Sequence, residues 1–579
     1  MGRRLSVWAP YATRVEAVLD AGRRVAMSGA ERHGWWSTAD EFPAGTDYQF
    51  SVDGSDPRPD PRSMHQPEGV NGPSRTFDPS VLPWTHRPWE PPALADALVY
   101  EAHIGTFSDA GTFDGAIGHL DHLVDLGVTH LEVLPINEFP GKRGWGYDGV
   151  DLYAAHSAYG GPQGFARLVD ACHGRGLAVI LDVVYNHLGP SGNYLGEFGP
   201  YFTDKYRTPW GMAVNFDDAD SDEVRRFFID NALTWLRDFH VDALRLDAVH
   251  AIVDTSALHV LEQLQREVRE LSAETGRRYA VIAESDLNDP RLITDTDQGG
   301  YGLDAQWSDD FHHALHSVLT GETSGYYADF GTLGDLATTL TRGYRYNGDY
   351  SPFRKRRHGR PLGEMSGGGL LGYLQNHDQI GNRATGERSS QLMSEGRLMI
   401  GATLVVTAPF VPMLFQGEEW AASTPFQYFT DHEDRDLGRA VTEGRTHEFA
   451  AFGWKPMDVP DPQDPQTFER SKLRWEELLE PGHARVLDWH RRLIALRRER
   501  PELRDGRLGA VAVQHDAAVG WLWFRRGRLV VAFNIGGDVA RLELDGAHAV
   551  VLASSEGVNV DGSSLSLPPD SVAILESAV

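Results

Sequence analysis

The stretch Val241-Asp-Ala-Leu-Arg-Leu-Asp-Ala-Val-His250 sets two charges, Arg245 and Asp247, among apolar residues that read as a buried strand. Side chains alternate along a strand, so Arg245 and Asp247 point to one face, one step apart. Burying a carboxylate beside a guanidinium is costly without a use. A neighbouring positive charge favours the ionised carboxylate, and an ionised, oriented carboxylate is what a covalent nucleophile requires. The alternative is a structural ion pair at a strand end. Three more apolar runs end in acids or histidines: Leu181-Asp-Val-Val-Tyr-Asn-His187, Val281-Ile-Ala-Glu-Ser285 and Leu374-Gln-Asn-His-Asp-Gln379. Paired carboxylates serve proton transfer and attack at an acetal carbon. Asp247 is the candidate nucleophile. Glu284 follows an apolar Val-Ile-Ala, which tends to keep it protonated, as a general acid requires. Asp378, between His377 and Gln379, is a third acid suited to binding sugar hydroxyls and stabilising the transition state. No zinc-spaced ligand set and no glycine-rich phosphate loop accompanies these acids, so no metal and no cofactor is expected.

The elements that must position these residues follow from periodicity. Apolar strands are expected at 98–104, 131–135, 177–184, 241–247, 280–284, 303–307, 370–376 and 410–415. Amphipathic helices are expected between them at 113–126, 163–173, 222–239, 257–271 and 394–406, with a last helix at 484–500. A long polar segment separates the sixth strand from the seventh. Eight strands with helical crossovers point to an α/β fold, a parallel sheet closed into a (β/α)8 TIM barrel. An open doubly wound sheet is the alternative. A barrel carries its active site at the C-terminal ends of its strands, where the acids and histidines fall. Short β-like runs at 5–9, 14–19 and 47–52, then a Pro- and Gly-rich stretch, predict an N-terminal immunoglobulin-like β-sandwich and linker over 1–92. The catalytic barrel is expected over 93–500. Further β runs at 511–514, 519–524, 529–534, 540–544, 549–552 and 572–575 predict a C-terminal β-sandwich over 501–579.

Acidic residues outnumber basic ones 83 to 54, a net charge of −29. That disfavours nucleic acid and anionic membrane, which reward positive patches. No window of 18 apolar residues suggests a membrane span, and the N-terminal run does not read as a secretory signal. The one cysteine, Cys172, excludes an intrachain disulfide and suits a cytoplasmic location. No internal repeat is evident.

The four polar-tipped segments, in this order, resemble the four conserved regions of the α-amylase superfamily of glycoside hydrolases. The resemblance covers roughly 96–500. It implies Asp247 as nucleophile, Glu284 as acid/base and Asp378 as transition-state stabiliser. It places His187, Arg245, His250 and His377 around the bound sugar, with Tyr147 and Asp148 forming the floor and Tyr147 stacking on a glucose. Trp307, Asp309 and Gln379 are expected as further sugar contacts. The N-terminal Trp8-Ala-Pro10 is similar to the β-sandwich of branching and trehalose-releasing members. Only some thirty residues lie between His187 and the helix near Ser221, so the calcium-binding insertion of typical amylases gains no support.

Within the superfamily, Tyr100-Glu-Ala-His-Ile-Gly-Thr-Phe107, Glu138–Gly149, Asp304–His313 and Gln416–Phe426 most resemble the trehalose-releasing members. The resemblance implies hydrolysis of the α-1,4 bond beside the terminal trehalose of maltooligosyltrehalose, an α-glucan substrate supplied by a maltooligosyltrehalose synthase as functional partner. The alternatives are a glycogen branching enzyme, which uses the same covalent intermediate, and a catalytically dead glucan-binding protein. The loop Glu418–His432 and the segment Trp307–His313 are the expected wall against the leaving trehalose, with Trp420 and Phe426 as its aromatic contacts. The alternative is that Trp420 and Phe426 only pack the loop.

Overall fold

A computed structural model of the chain describes residues 2–29, 33–86, 88–450 and 459–577. Arg87, within the expected linker, lies outside them. Eight parallel strands close into a barrel in sequence order: β1 (Val99–Ala102), β2 (His130–Val133), β3 (Ala178–Val183), β4 (Ala243–Leu246), β5 (Ala280–Ala283), β6 (Ala305–Trp307), β7 (Leu370–Gly372) and β8 (Val411–Phe415). β8 pairs with β1, so the sheet has no edge and the open doubly wound alternative falls. Alternate residues of each strand point to opposite faces. Val99, Ile180, Ala243, Ile282, Leu371 and Met413 fill the lumen as one apolar cluster. Their neighbours Tyr100, Leu181, Leu244, Val281 and Leu414 pack outward in the larger core. Continuing the inward alternation brings Glu101, Asp182, Arg245, Asp247 and Glu284 towards the axis at the C-terminal end.

The expected helices stand at Gly161–His173, Ser221–Arg237, Val260–Thr275, Glu395–Thr407 and Pro481–Glu499. The expected helix over 113–126 is two, Phe113–Ile117 and Leu120–Leu126, because the chain breaks after Gly118 at the first helix's C-cap. The polar segment after β6 holds two helices that its composition conceals. In Asp309–Thr320 the buried His312, His313 and His316 interrupt the apolar period. Leu333–Arg342 opens on a capping box formed by Thr332 and Asp335. β7 ends short of the expected Asn376, whose side chain instead accepts the N–H groups of Asp378 and Gln379 and starts the short helix His377–Gly381.

Among the described residues, strands between Arg3 and Arg75 form a three-stranded and a four-stranded sheet. Strand Trp35–Phe42, absent from the expected runs, pairs with Arg3–Trp8. Residues 512–577 form a five-stranded and a three-stranded sheet around Trp523, Val530, Leu542 and Leu565. Trp8 meets Tyr201 edge-on at 5.3 Å, joining the first sheets to the barrel. Arg526 donates to the Thr407 carbonyl at 2.7 Å, joining the last ones.

Candidate active site

The C-terminal tips of the barrel strands surround a cavity of about 360 Å³. Asp247, Glu284 and Asp378 reach it from the ends of β4, β5 and β7, joined by Tyr147, Asp148, His187, His250 and His377. Arg245 lies beneath, almost fully buried. Its Nη1 donates to Asp247 Oδ1 at 2.9 Å and to Asp182 Oδ2 at 2.8 Å, and its Nη2 lies 3.8 Å from Glu284 Oε2. Asn186 Nδ2 donates to the other Asp247 oxygen at 2.7 Å. Both oxygens of Asp247 are thus held, and the one-step juxtaposition with Arg245 is present.

Glu284 Oε2 accepts the backbone N–H of Ala248 at 2.5 Å. To present that N–H, Ala248 adopts φ 39°, in the left-handed region, at a cost of about 1 kcal/mol for a side chain other than glycine. Burial pushes the Glu284 carboxyl well above the usual carboxylate range. Arg245 opposes this, and the charges of Asp247, Asp309 and Asp378 reinforce it. An acid pushed towards its protonated form therefore stands beside a carboxylate that accepts from a guanidinium, the arrangement that acetal cleavage requires.

A second chain of hydrogen bonds runs behind the acids. Tyr147 Oη donates to Asp182 Oδ2 at 2.7 Å and lies 2.8 Å from His377 Nε2. The rings of Tyr147 and His377 stack at 5.2 Å. His377 Nδ1 is 2.5 Å from Glu101 Oε1. His187 contacts Asn186 Oδ1 and the Tyr147 carbonyl, and its ring lies flat on Trp210 at 4.3 Å. Trp210, 49% exposed, sits at the turn of the hairpin Phe202–Thr208/Gly211–Val214 and lines the cavity.

Comparison with known proteins agrees with this arrangement. The family model described as the alpha amylase catalytic domain matches residues 85–208, and a domain of unknown function, DUF3459, matches 506–574. A crystal structure from Salmonella typhimurium, named "Putative alpha Amylase", superposes with a TM-score of 0.91 at 38% identity, covering 99% of this chain and 97% of that one. The malto-oligosyltrehalose trehalohydrolase of Arthrobacter ramosus is 51% identical over 570 residues, covering 97% of this chain and 98% of its own length. That of Rhizobium sp. is 49% identical over 582 residues, covering 99% and 97%. The chain belongs to the malto-oligosyltrehalose trehalohydrolase family. A 1,4-alpha-glucan branching enzyme of Bacillus cereus is 31% identical over 342 residues, covering only 53% of this chain.

In this trehalohydrolase-family chain several expected contacts lie elsewhere. Trp307 is buried under Arg245, whose guanidinium carbon is 4.1 Å from the ring centroid, and does not line the cavity. Asp309 is bonded to the Tyr373 hydroxyl and sits behind Glu284; burial raises its carboxyl to about 7. Gln379 is partly exposed, and its backbone N–H is spent on the Asn376 cap. Trp420 is fully buried between Trp475, at 5.0 Å, and His122, at 5.6 Å. Phe426 is fully buried and stacks on Trp145 at 5.3 Å. Both rings are packed within the protein and neither lines the cavity; from the loop after β8 its lining takes Tyr428 and the likewise buried Phe429. Glu101, Asn186, Trp145 and Trp210 were not anticipated. Glu101 carried the signal used for the other acids, a charge within an apolar strand. Trp210 carried none, because its place depends on how the hairpin folds over the barrel.

Proposed function

We propose that the protein hydrolyses the α-1,4-glucosidic bond next to the terminal trehalose of maltooligosyltrehalose, releasing trehalose and a malto-oligosaccharide. The observation that carries this reading is near full-length identity of about half to proteins of that name. The site geometry is consistent with it. Asp247, its oxygens fixed by Arg245 and Asn186, attacks the anomeric carbon. Glu284 gives its proton to the glycosidic oxygen as the C–O bond breaks, and trehalose departs. The deprotonated Glu284 then takes a proton from water, which displaces Asp247 from the covalent glucosyl ester. Asp378, with Asn382 Nδ2 on its Oδ1 at 2.9 Å, binds the sugar hydroxyls and steadies the charged transition state. Each step inverts the anomeric centre, so the product retains configuration.

In this reading the enzyme acts in the cytoplasm, which its single buried cysteine suits. A maltooligosyltrehalose synthase supplies the capped substrate. Chromatography of the products from maltooligosyltrehalose tests the reaction. Free trehalose with an oligosaccharide shorter by two glucose units is expected. New α-1,6 branches without trehalose would replace this reading with the branching reaction.

A further inference from the structure

We propose that Glu101 is a positioning residue for this reaction: it keeps both ring nitrogens of His377 protonated, so that His377 orients the Tyr147–Asp182–Arg245 chain behind Asp247. The inference rests on the proposed hydrolysis for its kinetic readout, but its geometric basis is independent. Glu101 is fully buried on β1 and accepts two N–H groups from His377, Nδ1 at 2.5 Å and the backbone amide at 3.0 Å. An acceptor-only carboxylate makes Nδ1 a donor. On the other side of the ring, Nε2 lies 2.8 Å from Tyr147 Oη, whose single proton goes to Asp182 at 2.7 Å. Nε2 must therefore donate as well. With Glu101 and Asp182 both as acceptors, this pattern of partners makes the ring an imidazolium. Burial works against that charge, and the Glu101 carboxylate, helped by Asp378 and opposed by Arg245, reverses the effect and leaves His377 raised.

The groups facing this ring are Glu101 from β1, Asp182 and Arg245 from β3 and β4, His103 and Tyr147 from loops, and Asp378 from its own segment, with Glu132 of β2 beside Glu101. Glu132 is the informative neighbour. It pairs in register with Glu101, is fully buried, and neither of its oxygens has a hydrogen-bond partner among the described residues. Burial, then the Glu101 charge, pushes its carboxyl well up. Two adjacent glutamates thus have opposite surroundings: Glu101 accepts two N–H groups of His377, and Glu132, pushed up by burial, accepts none.

Glu101→Gln keeps the side-chain shape and removes the anion. It is expected to lower kcat about tenfold or more, with KM little changed, since a charge-assisted hydrogen bond is lost. The alkaline limb of the kcat profile should move to lower pH by about one unit or more. Glu132→Gln should leave kcat and the profile as in the wild type. A wild-type profile in Glu101→Gln, or an equal loss in Glu132→Gln, would overturn the proposal. Should Glu101→Gln not fold, nitrogen NMR of the histidine-labelled wild-type enzyme decides, with the His377 ring assigned by its absence in His377→Gln. Both nitrogens protonated at neutral pH supports the assignment, and a neutral ring overturns it. That spectrum needs no substrate, so a failure of the proposed reaction and a failure of the Glu101 assignment are read separately.

Discussion

Arg245 gathers three carboxyl groups in one buried cluster: it donates to Asp182 and Asp247 and approaches Glu284. The acids it gathers differ in their hydrogen-bond partners, and the proposed reaction gives them different tasks. Asp247→Asn and Glu284→Gln each remove a charge or a proton with little change of shape. Each is expected to reduce kcat by several orders of magnitude while the melting temperature stays near that of the wild type. A variant retaining more than about a tenth of the wild-type rate removes that residue from its role. The shared guanidinium, 2.9 Å from Asp247 and 3.8 Å from Glu284, gathers the two carboxyl groups, and carboxyl groups only roughly 5–5.5 Å apart mark retaining enzymes. Proton NMR of the fresh reducing end should therefore show the α-anomer first. A β-anomer as initial product contradicts the covalent route.

At the scale of elements, the loop after β8 separates packing from recognition. Trp420→Ala and Phe426→Ala open cavities in fully buried positions, and each should cost about 3–5 kcal/mol of stability. The preference for capped over plain substrate should be unchanged in both, and a narrowed preference would return these rings to the wall of the site. Trp210→Ala, on the hairpin over His187, should instead weaken substrate binding by roughly two- to tenfold without destabilising the fold. Glu418, in the same loop, is buried and raised to about 8, burial being the largest cause. Its folded pKa exceeds its unfolded value, so between about 4.5 and 8 the native state binds the extra proton, and this group's contribution to stability falls as pH rises. Relative to the wild type, Glu418→Gln should therefore gain stability across that window, by at most about 1.4 kcal/mol per pH unit. Denaturant midpoints that shift equally at both ends of the window contradict it.

The strand tips were legible in the sequence because a barrel strand is apolar on both faces, so Asp182, Arg245, Glu284 and Asp378 stand out wherever they fall. Asp309–Thr320 was not, because three buried histidines hide its apolar face. The inward turn of Trp420 was equally hidden: a loop aromatic has the same composition whether it faces the core or a sugar. Residue type located the acids, and only the folded loops decide which rings meet the substrate.

At the scale of the molecule, the closed barrel fixes the acids on rigid strand ends, and the flanking sheets brace it through Trp8 and Arg526. The net charge of −29 gives a neutral glucan no electrostatic steering, so selectivity rests on contacts at the cavity. In the proposed reaction Asp247 and Glu284 meet the same α-1,4 bond in capped and plain oligosaccharides and cannot tell them apart. Discrimination must come from binding the departing trehalose in the transition state, and it therefore shows in kcat/KM. The decisive measurement is kcat/KM for maltooligosyltrehalose against a plain malto-oligosaccharide of equal length, with trehalose release followed directly. A large preference for the capped substrate and stoichiometric trehalose are expected; equal kcat/KM for the two, or turnover of the capped chain without trehalose, would overturn the trehalose-releasing reaction.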